Sequence, residues 1–179
     1  TEVEIDEGIP APLAGTFDVF STSPGASGAA TLDADPTKLR ITGGIPVPAA
    51  TDVVRVSAGA TVRACIVTAV DAADANLLTV DRPLSPLGAA GTVVNWTRHV
   101  PSAAALGAPS GVAAGATALA WVPPLERTAP AVGATIELAR GGERAARTVT
   151  TVVADLLQCP QTIAGTGNVT VERMRFRTA

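Results

Sequence analysis

The stretch DVVRVSAGATVRACIVTAV, residues 52–70, decides the fold, because it recurs as ATIELARGGERAARTVTTV, residues 134–152, at a constant offset of 82 residues. The recurrence is one of pattern more than identity. Val54, Val56, Gly59, Val67, Thr68 and Val70 fall on Ile136, Leu138, Gly141, Val149, Thr150 and Val152, so apolar positions keep phase and a glycine returns in the same turn. Beyond this block short gaps are needed: Leu77 and Leu78 meet Leu156 and Leu157, and TKLRI (37–41) meets TALAW (117–121). Self-similarity at a fixed period marks a repeated structural unit, here two units of roughly 80 residues.

Each unit reads as short strands. Val54 and Val56 alternate with Arg55 and Ser57, residues 57–60 make a tight turn, and the chain returns through TVRACIVTAVD. Period-two alternation places Val62, Ala64, Ile66, Thr68 and Val70 on one side of that returning strand, and Arg63, Cys65, Val67 and Ala69 on the other. DAADAN (71–76) is a turn of Asx-forming residues. Leu77, Leu78 and Val80 form a third strand ended by Pro83, and GTVVNWTRHV (91–100) forms a fourth. The second unit repeats the moves, with Gly141 and Gly142 in its turn and NVTVERMRF (168–176) as its last strand. A strand near 39–41 or 119–121 precedes each set. Five short strands suffice for a small barrel. The expectation is an all-β chain of two repeated small β-barrel or β-sandwich modules with little helix. Residues 1–12 are an N-terminal arm, 13–100 the first module, 101–116 an Ala-, Gly-, Ser- and Pro-rich linker, and 117–179 the second module.

Composition agrees. The chain has 179 residues, 47% apolar, enough to bury a core. Aromatics are only 3%, Tyr is absent, and 17 Gly with 14 Pro favour turns between short strands. The net charge is −3 and Lys38 is the sole lysine, so no basic surface for nucleic acid is evident. No apolar run reaches the ~18 residues that cross a bilayer, and no basic-then-apolar signal opens the chain. No membrane association is expected. Thr1 is the kind of small residue left by methionine trimming, which makes a cytoplasmic start the expectation. Cys65 and Cys159 lack the clustered spacing of disulfide frameworks or zinc sites and read as buried hydrophobes.

Chemistry-bearing motifs are few. His99 is the single histidine, sits beside Val100 and Pro101 at a strand end, and reads as structural. No serine or cysteine lies in a nucleophile motif. The pairs Asp33/Asp35 and Asp71/Asp74 read as turn formers, since a calcium loop needs six or more oxygens and no EF-hand repeat is present. ITGGIPVP is a turn, not a phosphate loop. No enzymatic activity and no cofactor are expected. Trp96 and Trp121 fall in predicted strands and read as core, which leaves few aromatics for a stacking platform.

The two ends are complementary in charge. Glu2, Glu4 and Asp6 alternate with Val3 and Ile5, whereas Arg173, Arg175 and Arg177 alternate with Met174 and Phe176. Charged edge strands that resist aggregation are one reading. The other is an arm that adds as a strand to a neighbouring subunit, which makes these six residues the candidate assembly contacts.

The stretch 50–91 resembles the repeated β modules of tailed-phage virion proteins and of related contractile injection systems, in which a G-D-x-I-x-V step leads through a glycine turn into V-T-x-V and L-T-V-D-x-P. The residues that carry the resemblance are 51–56, Gly59, 67–70 and 78–83. The second unit keeps VGATIEL and VTTV but has Gln158, Cys159 and Pro160 where TVD would stand. The glycine of the first step is missing before Asp52, and Gly133 holds its place in the second unit. The resemblance implies a non-enzymatic structural protein of a virion or phage-like particle, as capsid decoration or as a head, tail or baseplate component. Its partners would be other particle proteins and copies of itself. A secreted bacterial surface or adhesion β-sandwich and a hydrolase or lyase on a β scaffold are the competing classes.

Overall fold

A computed structural model describes residues 2–109, 111–120, 130–155, 161–162, 168–169 and 175–177, with backbone pairing alone from 154 onward. Its strands are β1 (Glu2–Ile5), β2 (Asp18–Leu32), β3 (Lys38–Ile41), β4 (Val53–Ala58), β5 (Thr61–Val70), β6 (Leu77–Val80), β7 (Val93–Pro101) and β8 (Ala118–Ala120). They continue with β9 (Thr135–Arg140), β10 (Glu143–Asp155), β11 (Gln161–Thr162), β12 (Asn168–Val169) and β13 (Arg175–Arg177). Single 3₁₀ turns at Ala11–Leu13 and Ser85–Leu87 are the helical elements among the described residues. The chain is all-β.

Six strands close into a barrel in the order β3-β6-β5-β4-β7-β2, with β2 returning to β3 through Ala30↔Ile41, Thr31↔Arg40 and Leu32↔Leu39. Its interior holds Leu39, Val54, Val56, Cys65, Val67, Leu78, Val94 and Trp96, all buried. Trp96 fills the centre and donates Nε1–H to the Gly43 carbonyl at 3.0 Å. Gly28 of β2 is its strand partner and lies against residues 43–44. A Cβ on Gly28 would lie 1.9 Å from the Gly43 oxygen, so this approach is open to glycine alone. The period-two reading of β5 holds up to Thr68, where a bulge intervenes between Val67 and Ala69. Past the bulge the phase slips by one residue, and Val70 packs with Cys65 and Val67 instead of opposite them.

The offset of 82 holds in three dimensions. β4 and β5 map onto β9 and β10, Gly59 and Gly141 turn at φ +59° and +58°, and Val67 N–H bonds Asp52 O as Val149 N–H bonds Ala134 O, at 2.9 Å each. Thr51 and Gly133, the step before each hairpin, both take positive φ, +74° and +81°.

The remainder of the second module comes from the other end of the chain. β1 pairs β10 through Val3↔Val152, Glu4↔Thr151 and Ile5↔Val149, bulging at Thr150. β6 pairs β5 through Leu78↔Val70, Thr79↔Ala69 and Val80↔Val67, bulging at Thr68. β8 lies on β1 with Leu119↔Val3, as β3 lies on β6 with Leu39↔Leu78. The first residues of β2 lie on β9 with Val19↔Leu138, as β7 lies on β4 with Trp96↔Val56. Residues 2–21 thus stand to the second module as residues 77–98 stand to the first. The sequence V-E-I-D at 3–6 occupies the place of L-T-V-D at 78–81, the ending that residues 158–160 lack.

This redraws the expected division. The arm placed at residues 1–12 is an interior strand and a turn of the second module, with Val3, Ile5, Ile9 and Leu13 buried beside Leu119, Ile136, Leu138 and Val149. The linker placed at 101–116 runs along the start of β2, where Gly107 bridges Val19, Val112 bridges Gly15, and Val112 enters the core. The sequence counterpart of β6 near Leu156 and Leu157 lies outside the described residues, as do Trp121 and Cys159.

Candidate functional site

The two modules meet where the outer face of β5 touches β10. Val53, Ala64, Ile66 and Ala146 form a small apolar contact there, and Ala64 and Ala146 are equivalent under the repeat. Small side chains bring the two backbones close. Around this contact six ionisable groups gather: Asp6, Glu7 and Asp81 with Arg63, Arg82 and Arg147.

Arg82, 4% exposed, lies at the centre of the seam. Its Nη1 donates to Ala64 O at 3.1 Å and to Ala146 O at 3.4 Å, one carbonyl from each module, and its Nη2 donates to Asp6 Oδ2 at 3.1 Å. It also pairs with Glu7. Arg63 Nη1 reaches Glu7 Oε2 at 3.0 Å, and Arg147 donates from Nη2 to Gly8 O at 3.0 Å and from Nε to Glu7 O at 3.2 Å. The segment following β1 is therefore held by arginines of both modules.

Asp6 and Asp81 are counterparts. Asp6 N–H bonds Thr148 O, and Thr148 N–H bonds Asp6 Oδ1, both at 2.9 Å; Asp81 and Ile66 make the same reciprocal pair at 2.9 and 2.7 Å. Burial raises the pKa of both carboxyls, offset in part by those N–H donors and by Arg147. Burial lowers that of Arg147.

A second set of contacts fastens the far side of the joint. Arg144 binds buried Glu137 through two hydrogen bonds, Nε to Oε1 at 2.6 Å and Nη2 to Oε2 at 2.7 Å, which raises the arginine's pKa, and its Nη1 donates to Thr51 O at 2.9 Å. The Thr22 hydroxyl donates to Thr135 O at 2.6 Å and lies 2.9 Å from His99 Nδ1, so it accepts the proton that this nitrogen carries. Burial, and then Arg55, lowers the His99 pKa. The imidazole is a joint between strands, as its sequence setting suggests.

The other residues singled out by sequence fall into local roles. Asp35 Oδ1 accepts from Thr37 N–H at 2.9 Å, Asp71 Oδ1 from Ala73 N–H at 2.8 Å and Asp74 Oδ1 from Asn76 N–H at 3.0 Å, so the acidic pairs cap turns. Cys65 is fully buried, and burial pushes its thiol pKa far up. Among the described residues no three His, Cys, Asp or Glu side chains converge as a metal would need. A cavity of about 240 Å³ at one end of the barrel is lined by Leu32, Asp33, Pro36, Lys38, Leu84 and Ser85 and holds no cluster of reactive groups.

Of the six candidate contacts, Glu2 and Glu4 alternate with buried Val3 and Ile5 on β1, and Asp6 is committed to the seam. Arg175 and Arg177 lie in β13, opposite Asp155 and Val153 of β10; Arg173 lies outside the described residues. Sequence reasoning missed Glu7, Arg63, Arg82, Arg147 and Glu137. Only Arg82 carried a signal, standing between a strand end and Pro83. Comparisons with protein-family models, curated proteins and solved structures return no match.

Proposed function

We propose that this chain is a non-enzymatic structural protein of a phage virion or phage-like particle, acting through contacts between subunits. What supports the reading is the hairpin module itself. The residues that resemble repeated virion modules, 51–56, Gly59, 67–70 and 78–83, form a unit that the chain builds twice in one body. Buried ionisable groups, which an enzyme would direct at a substrate, close here on partners within the chain: Arg82 of the first module on Asp6 of the second, Arg147 on Gly8 O, and Glu137 on Arg144. The partners implied are other particle proteins and further copies of this chain.

The test is to tag the chain in the strain that carries its gene, induce particles, purify them by density and examine them by mass spectrometry and immunogold electron microscopy. Incorporation at a fixed position in an integral ratio to the major subunits is expected. Recovery only from the cell surface or the culture medium, away from any particle, would overturn the reading and favour a secreted adhesion module.

A further inference from the structure

The second module is divided between the two ends of the chain. Its first part, β8 to β10, arrives after residue 117, and its last part, β1 with its turn and the start of β2, arrives before residue 22. The first module, by contrast, has all six strands within residues 22–101. One domain completed by both termini is a joint, and a joint can be closed within a chain or between chains.

We propose that residues 2–21 of one chain complete the second module of another chain of the same sequence, by lying along β10 and β9 in the register they have in the closed monomer. The recognition chemistry is specific. A donor strand must offer apolar side chains at positions 3 and 5, which enter the core beside Leu119, Leu138 and Val149. It must then offer a carboxylate at position 6 to the Thr148 N–H and Arg82, followed by another at position 7 for Arg63. V-E-I-D-E meets each requirement.

Exchange keeps these pairings within the second module and changes which chain supplies the strand. Concentration and strain in the connections then set the balance between closed and exchanged forms. Both connections suit a change of path. β2 leaves the second module just before an irregular stretch between Pro24 and Ser27, and the other crossing follows Pro101 through a short segment outside any strand that bonds β2 at Ser102 N–H to Ser21 O and at Leu106 N–H to Val19 O. Donor and acceptor are different surfaces, so the joint is heterologous: it can close in a reciprocal dimer or a ring, or run on as a chain of subunits. The seam contacts of Asp6 and Glu7 with Arg82 and Arg63 would then tie the donor to the acceptor's first module as well.

The experiment uses full-length chains with Cys159→Ser, leaving buried Cys65 in place. Val3 and Val152 are paired across β1 and β10. One variant carries Val3→Cys, a second Val152→Cys, and a third both. The single variants are mixed at high concentration and oxidised, and the products are resolved on a non-reducing gel and by light scattering. A Val3→Cys to Val152→Cys cross-linked dimer is the expected result. The double variant, oxidised when dilute, should lock as a monomer that fails to form the oligomers expected of wild type at high concentration, and reductant should restore them. Failure of the mixed singles to cross-link, or oligomers that persist when the double variant is locked, would overturn the proposal. The locked monomer also separates this proposal from the function above: its incorporation into particles would refute strand exchange and leave the virion role standing.

Discussion

At the scale of single residues, Thr51 shows what the repeat demands of a position. The step before each hairpin needs positive φ, which Gly133 adopts freely and a β-branched threonine adopts with strain. Thr51→Gly is therefore expected to stabilise the protein by roughly 0.5–1 kcal/mol, since relief of about 1–2 kcal/mol of left-handed strain exceeds the added freedom of the unfolded chain. Gly133→Thr should cost roughly 0.5–1 kcal/mol by the same balance, although a Cβ there meets nothing within 4 Å, because the penalty comes from the backbone angle. Urea denaturation of both variants checks the pair. Asp6 and Asp81 each contribute to the pH response. Their folded pKa values lie above the ordinary 3.8, so the stability they contribute is fully present below that value and is lost as pH rises through the raised ones. As pH rises above about 4, the urea midpoint of wild type should fall relative to that of Asp6→Asn/Asp81→Asn, which has no carboxyl to titrate at either place. A parallel pair of profiles would show that these groups do not titrate in that window.

At the scale of elements, Arg82 is, among the described residues, the one side chain that bonds carbonyls of both modules and the segment after β1. Arg82→Ala leaves the partly buried Asp6 carboxylate without this partner, and a cost of up to about 3 kcal/mol is expected in equilibrium unfolding, where a surface ion pair would cost below about 1 kcal/mol. The bulges at Thr68 and Thr150 make a related point. Each shifts the side-chain phase of its strand by one residue, and each faces the strand that an aspartate follows, β6 in one module and β1 in the other. Strict alternation in the sequence carries no mark of such a slip. That is why Val70 was expected opposite Val67 and is found beside it.

At the scale of the molecule, the division of the second module predicts unequal behaviour of fragments. Residues 18–101 contain every strand of the closed barrel and should unfold cooperatively on their own. Residues 102–179 lack β1 and the start of β2, which cover Leu119, Leu138 and Val149, and should remain unfolded by circular dichroism until a peptide of residues 1–24 is added. A folded 102–179 fragment would contradict this account. The sequence by itself determined the fold class, the hairpins at 53–70 and 135–152, their glycine turns and the burial of Trp96 and Cys65, because alternation and turn chemistry act over a few residues. It did not reveal β2, where Pro24, Gly25 and Gly28 interrupt strand alternation and whose pairing partners lie tens of residues away. Nor could it show that V-E-I-D at 3–6 is the missing counterpart of L-T-V-D at 78–81, or bring Arg82, Arg147 and Asp6 to one seam. Those were decided by tertiary structure: strand pairing and buried charge join residues by distance in space, and a period of about 80 residues carries no record of which end of the chain completes the last repeat.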